Sequence, residues 1–503
     1  MSATFGVDAL ELTKRFGSFA ALDRVSMKVA PGSFHALLGE NGAGKSTLVK
    51  CIMGYYRADS GAVLVDGREH QMANPRDAMA LGIGMVYQHF TLVPAMTVAE
   101  NLVMSRQQVP AVIDWAAEIS GLEAFMASMP FKVPLRATVA DLSAGERQKT
   151  EILKQLYLQS RFLILDEPTS VLTPDEADEM LGLLRGMTER RELTVLMISH
   201  KFREVTTYAD EVTVLRKGRL AGSGAVKDLG RADMAAMMIG TAELPAPAAR
   251  VGKARPEPVL VLKELTADDP SGRGGIAIDR MVVQAGEIVG IAGVSGNGQK
   301  QLVEVLGGQR RPTGGDVIVL GETYVGARDQ SQALKVRCLP EEPLRNACVG
   351  RMAVAENLAF RSFDRSREGA RFWLSGAEMA EQARLLIRRY GIKTASKDAP
   401  VQTLSGGNVQ RTVLARELGG EVKLLVVANP CFGLDFAATS LIRGQIVDAR
   451  NQGTAVLLIS EDLDEVLELS DRVLVMSEGK IVYETPIEAA DRHEIGHHMA
   501  GHH

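Results

Sequence analysis

The chain has 503 residues, 46% of them hydrophobic and 24% charged, the balance of an ordinary soluble protein with room for two to four domains. Its net charge of −5 gives no field that would hold nucleic acid by counterion release, which weakens a nucleic-acid-bound reading, and no nucleic-acid partner is expected. No apolar run nears the roughly 18 residues that cross a bilayer, the start MSATFGVDALELTKRF is no secretory signal, and Cys51, Cys338, Cys348 and Cys431 lack zinc or disulfide spacing, which together predict a cytoplasmic chain.

Taken in order, SMKVAPGSFHALLG (26–39) reads as strand-like alternation and runs into GENGAGKS (39–46). That string fits the phosphate-loop pattern GxxxxGK[ST] between a strand and a helix. Gly39, Gly42 and Gly44 let backbone N–H groups converge on phosphate oxygens, and the following helix directs its N-terminal partial charge at them. Lys45 would pair with the β- and γ-phosphates and Ser46 would ligate magnesium, with Asn41 and Thr47 among the nucleotide contacts. GERQKTEILKQLYLQ (145–159) is helical in period, and FLILD (162–166) and LTVLMIS (193–199) are short apolar runs of the kind that form buried parallel strands. Asp166 ends the first run and is placed to hold magnesium, and Glu167 is placed to polarise an attacking water.

A Pro/Ala-rich stretch at 241–258 separates residues 1–240 from 259–503 and is expected to be a linker. Beyond it the same order returns, offset by roughly 254 to 262 residues, as GVSGNGQKQ (293–301), LSGGNVQ (404–410), LLVVANPCF (424–432) and VLLISE (456–461). One domain has been duplicated. In the second copy RMVVQAGEIVGIAG (280–293) repeats the opening strand, KLLVV (423–427) and TAVLLIS (454–460) the buried strands, and EMAEQARLLIRRYG (378–391) a helix. The chemistry is lost. Gln299 stands for Lys45, Lys300 for Ser46, Ala428 for Asp166 and Asn429 for Glu167.

LSAGERQ (142–148) shortly before FLILDE resembles the signature segment of ATP-binding cassette (ABC) ATPases, and the resemblance covers nearly the whole chain. It implies an α/β fold of two tandem P-loop NTPase domains, each with a core parallel sheet, an antiparallel β subdomain and a helical subdomain. It also implies roles that the phosphate loop alone does not. Gln88 in GMVYQ is similar to the glutamine that senses magnesium, His200 to the switch histidine at the γ-phosphate, and Phe16 in TKRFGSF to the aromatic that stacks on adenine. In the second copy Glu341 stands at the glutamine position and Glu461 at the histidine position.

In that family two domains pair head to tail. The first phosphate loop would then meet Ser405, Gly406, Gly407 and Asp435 of the second copy, giving one complete site. The damaged second loop would meet Ser143 and Gly145, with Thr173 where the family usually has Asp. The implied function is an ATPase subunit using ATP and Mg2+ to drive import of a nucleoside, or alternatively a monosaccharide. It would sit peripherally on the cytoplasmic face of the membrane, bound to two transmembrane permease subunits fed by an extracytoplasmic substrate-binding protein. The GNGQ loop and LVVANP favour the nucleoside branch. A soluble tandem ATPase acting on ribosomes or DNA is the alternative class. The VAENL segments (98–102 and 354–358) are expected to be apolar docking surface for the permease, kept in both copies.

HEIGHHMAGHH (493–503) formally contains HExxH, and His503 falls at the spacing of a third ligand. Ala500 occupies the turn position and nothing follows that could form a cleft. The segment aligns with ADMAAMMIG (232–240) and reads as a module terminus.

Overall fold

A computed structural model describes residues 4–106, 108–199, 201–240, 249–268, 275–294, 296–363, 376–434 and 436–499. The chain divides into two compact units, Met1–Leu244 and Pro245–His503.

In the first unit a six-stranded sheet has the order Arg219–Ala225, Glu211–Arg216, Phe34–Gly39, Thr194–Ile198, Phe162–Asp166, Ile83–Val86. All neighbours are parallel except the first pair. A four-stranded antiparallel sheet adds Phe19–Val29, Val7–Phe16, Ser60–Val65 and Arg68–His70. Leu48, Val49 and Ile52 of the helix Lys45–Ile52 pack into a core shared by both sheets. The second unit repeats this arrangement, with Val336–Leu339, Leu424–Ala428, Ala455–Ser460, Ile288–Ala292, Arg472–Ser477 and Lys480–Pro486 in its six-stranded sheet. Helices Val98–Met104, Trp115–Ala127 and Ala144–Tyr157 form the helical part of the first unit, and Val354–Ala359, Gly376–Arg389 and Gly406–Glu417 that of the second.

The two kinds of strand obey different patterns. Phe34–Gly39, Ile288–Ala292, Leu424–Ala428 and Ala455–Ser460 are buried at every residue, because helices and the second sheet cover both faces. The expected strand-like run at 26–39 is therefore two strands. It breaks at a turn where Gly32 takes φ +68° and the Ser33 N–H donates to Ala30 O at 3.2 Å. Gly286, at φ +70°, makes the same break in the second unit.

The VAENL segments are not docking surface. Val98, Ala99 and Leu102 are buried, as are Val354, Ala355 and Leu358. The buried Asn101 accepts from the Val93 N–H at 2.7 Å and donates to Thr97 O at 3.0 Å. Asn357 does the same with the Val349 N–H at 2.9 Å and Ala353 O at 3.0 Å. An unpartnered loop N–H here would cost about 1–3 kcal/mol, so the segment persists as an internal clamp. Val93 and Val349, at equivalent places beside the segments, are exposed.

Of the expected linker, 241–248 lies outside the described residues, and 249–257 is bonded to the second unit. Asn451 holds Ala249 O and the Val251 N–H at 3.0 and 2.9 Å, and buried Arg450 donates to Val251 O at 2.7 Å. The C-terminal helix Arg492–Met499 buries Ile495 and Met499 against Val466 and Val473 and stacks His498 on Tyr483 at 4.6 Å. Its counterpart Arg231–Ile239 buries Met234, Ala235 and Met238. His503 lies outside the described residues. No group of three His, Cys, Asp or Glu suited to a metal occurs among the described residues.

Candidate nucleotide site

The loop after strand Phe34–Gly39 is built for close backbone approach. Gly39 and Gly44 take φ +152° and +105°, and a Cβ would lie 2.5 Å from Leu215 O at Gly39 and 2.7 Å from Ala21 O at Gly44. Around Gly42, at φ +79°, a Cβ would meet nothing within 4 Å, so that glycine is required by conformation alone. Asn41, Gly42 and Ser46 are exposed and Thr47 is half-buried at the mouth of the loop. The helix Lys45–Ile52 has no acidic residue in its first turn and no side-chain cap, which leaves its N-terminus suited to an anion. Lys45 Nζ donates to Gly39 O at 2.7 Å and Glu40 O at 3.1 Å, so the ammonium is already folded over the loop.

Asp166 and Glu167 end the strand Phe162–Asp166. Burial, then the charge of Glu167, pushes the Asp166 carboxyl up to about 6, against the pull of Lys45. Glu167 is held in the left-handed region at φ +50°, its N–H donating to Ile198 O at 2.9 Å. Gln88, two residues past the strand Ile83–Val86, donates its side-chain amide to Glu167 Oε2 at 3.2 Å. The structure thus gathers Lys45, Asp166, Glu167 and Gln88 within one unit. Phe16 ends its strand half-exposed, edge-on to Tyr56 at 5.3 Å and with Lys14 Nζ 5.6 Å from its ring. His200 and Asp435 lie outside the described residues.

The second unit keeps this framework and drops its charges. Gly298 matches Gly44 at φ +103°, and Gln299 Nε2 donates to Val294 O at 3.1 Å where Lys45 holds Glu40 O. Lys300 points outward, 79% exposed and 4.0 Å from Glu304. Asn429 takes φ +43° and its N–H donates to Ile459 O at 2.8 Å, as Glu167 does with Ile198. Its side-chain oxygen accepts from the Glu461 N–H at 2.9 Å. Ala428 is buried, and Glu341 sits two residues past the strand Val336–Leu339.

The signature helices differ as well. Ser143 caps Ala144–Tyr157 reciprocally with Glu146: the Glu146 N–H donates to Ser143 Oγ at 3.2 Å and the Ser143 N–H to Glu146 Oε2 at 2.8 Å. That places a carboxylate at the helix N-terminus. Gly145 is buried against Glu176. Ser405 caps Gly406–Glu417 with no side-chain bond to the helix backbone and no acid in the first turn. Ser405 and Gly406 are exposed, and Gly407 packs on Ala438. The second signature is the one whose N-terminus suits an anion.

The pattern of the ABC transporter family matches residues 22–170 and 279–431. The chain belongs to that family. Among its relatives, a glucose import ATP-binding protein of Haloferax volcanii is 38% identical over 97% of this chain and 94% of its own length. A nucleoside import ATP-binding protein of Lactococcus lactis subsp. cremoris is 34% identical over 98% of each. A ribose import ATP-binding protein of Rubrobacter xylanophilus is 37% identical over 96% of each. The solved structure of an archaeal ribosome recycling factor with a ribosomal stalk protein aligns with TM-score 0.65 at 20% identity, over 95% of this chain and 90% of that one, which shows the shared tandem fold. Both matched stretches, one in each unit, follow the ABC ATPase pattern.

Two features of this ABC chain escape a reading by catalytic motif. SAGE (143–146) is a capping box, legible from the S-x-x-E spacing but masked by its overlap with the signature. Thr173 is buried as the N-cap of Pro174–Glu189, with the Glu176 N–H donating to its hydroxyl at 3.3 Å.

Proposed function

We propose that the chain is the ATP-hydrolysing subunit of an importer, powering uptake of a nucleoside or simple sugar through separate permease subunits. The observation that carries this is the convergence in one unit of a phosphate-loop ammonium, a strained strand-end glutamate and a glutamine hydrogen-bonded to it. The sugar- and nucleoside-import relatives support the importer class, and the preference for the nucleoside branch has no further support from them. Peripheral attachment to the cytoplasmic membrane face fits a chain with no membrane-crossing helix among the described residues. Exposed Val93 and Val349 at equivalent places support two docking faces, one for each of two permease subunits.

Burial and the charge of Glu167 raise the Asp166 carboxyl, which favours a cation there, and exposed Ser46 lies at the loop mouth. Ser46, Asp166 and Gln88 therefore fit Mg2+, which when bound neutralises the charge of the β- and γ-phosphates. Lys45 pairs with those phosphates, Phe16 stacks on adenine, Glu167 takes a proton from the attacking water, and His200 contacts the γ-phosphate. Ser405, Gly406 and Gly407, with Asp435, supply the signature role toward a γ-phosphate, and Ser143 and Gly145 are their counterparts in the first signature. The test is purification with the permease. ATP-dependent uptake that stops with Glu167→Gln supports the proposal, and uptake that survives it sinks the assignment. A complex mass with two copies of this chain per permease pair would refute the two-face stoichiometry.

A further inference from the structure

Glu204 belongs to no motif used above. It is buried, 3% exposed, on the helix Phe202–Tyr208. Its carboxylate accepts from the Thr169 hydroxyl and, at 2.7 Å, from the Ser199 hydroxyl. Thr169 is also buried and lies two residues beyond Glu167. Its carbonyl accepts from Lys201 Nζ at 3.2 Å, and the same ammonium stands 3.6 Å from Glu204. Ser199 follows the strand Thr194–Ile198, whose last carbonyl holds the Glu167 N–H at 2.9 Å. One buried carboxylate thus joins the two loops that flank the strained glutamate.

The second unit separates the need of the fold from the need of the site. Glu465 occupies the matching place on Leu463–Leu469, 1% exposed, and accepts from the Ser460 hydroxyl at 2.8 Å. Arg443 supplies a counter-charge at 3.5 Å. Cys431 stands where Thr169 is, so the bond toward the former catalytic elbow comes at best from a thiol, a much weaker donor than a hydroxyl. A buried carboxylate is costly unless paired and hydrogen-bonded, and both units meet that cost. Only the first also has a hydroxyl that fastens it to the loop leaving the glutamate.

We infer that Glu204 is a positioning residue for ATP hydrolysis: through Thr169 it fixes the loop that sets where the Glu167 carboxylate points, without touching nucleotide itself. The inference rests on the proposed role of Glu167 as base. Misplacement of a catalytic group by an ångström costs on the order of 100-fold in rate, which sets the scale of the effect.

The experiment measures kcat, KM and ATP affinity of the full-length chain for Thr169→Val, Glu204→Ala, Glu204→Gln, Glu465→Ala and Glu167→Gln. Thr169→Val and Glu204→Ala should lower kcat by about 10- to 100-fold with ATP affinity unchanged. Glu204→Gln, which still accepts and donates hydrogen bonds, should recover most of the rate. Glu465→Ala should lower thermal stability and leave kcat within about twofold of wild type. Thr169→Val is nearly isosteric, so it carries the test if Glu204→Ala does not fold. Wild-type kcat in Thr169→Val, or an equal loss in Glu465→Ala, overturns the inference. An active Glu167→Gln brings down both the catalytic reading and this one, whereas an inactive Glu167→Gln beside a normal Thr169→Val brings down this one alone.

Discussion

Lys45 Nζ and Gln299 Nε2 do the same structural task, each donating to a carbonyl of its own glycine loop at about 3 Å. Glu167 and Asn429 likewise share a left-handed backbone and an N–H bond to the neighbouring strand. The two units therefore differ in charge and proton chemistry, not in framework. The second has lost the ammonium and both strand-end carboxylates while keeping the bonds that hold each segment in place. The asymmetry reverses at the signature helices, where the first unit carries the capping Glu146 and the second has no acid in its first turn.

The strongest way to break this comparison is Glu167→Gln, which should cut steady-state ATP turnover by about 10²- to 10⁴-fold. Residual turnover near wild type would mean that the second unit hydrolyses after all. Next comes Ser405→Arg, expected to cost at least about 100-fold by crowding the γ-phosphate donors. Ser143→Arg should spare most of the rate and lose about 1 kcal/mol of stability with its capping box. Equal rate losses from the two arginines would erase the distinction between the signatures. Lys45→Ala should weaken ATP binding by about 10- to 100-fold, the worth of a hydrogen bond to a charged group. Gln299→Ala and Lys300→Ala should leave it nearly unchanged, as read by titration with a fluorescent nucleotide.

A smaller effect separates the two units by pH. His35 is buried in the first unit with its Nε2 2.8 Å from the Thr213 hydroxyl, and burial holds its pKa down to about 4. Val289 takes that place in the second unit, the second residue of the matching strand. Because the folded pKa is depressed, neutral His35 supports the fold above pH 6.5, and that support is lost as pH falls from 6.5 to about 4. The loss amounts to roughly 3 kcal/mol across the window. Denaturant titrations of His35→Val should show a flatter acid limb, and an unchanged limb would exclude His35 as its cause.

The parallel strands were legible because burial on both faces leaves an unbroken apolar run, as in FLILD and TAVLLIS. Lys45, Asp166 and Glu167 were legible because phosphate chemistry demands those groups at fixed spacing. Glu204 was not, since nothing in KFREVTTY marks it as buried and its partners Thr169 and Ser199 meet it only through the sheet order. The docked stretch 249–257 was hidden for a related reason. Its partners Arg450 and Asn451 grip backbone atoms, which leave no trace in composition. The VAENL segments depart from the expected docking surface because apolar character does not distinguish surface from interior, and the buried asparagine in each makes them interior.

The left-handed bend at Glu167 and Asn429, just past the strand, carries one more consequence. A left-handed backbone is unfavourable for Glu and tolerated by Asn, whose short side chain bonds locally, here to the Glu461 N–H at 2.9 Å. At that single position, Asn in place of Glu also relaxes the chain. Asn429→Glu should therefore cost about 1 kcal/mol of stability while restoring no turnover, since Ala428 and Gln299 remain. Such a change acts as a ratchet: each later reversal is opposed by stability before it is rewarded by chemistry. Equal stability of Asn429→Glu and wild type in chemical denaturation would show that no ratchet operates at this bend.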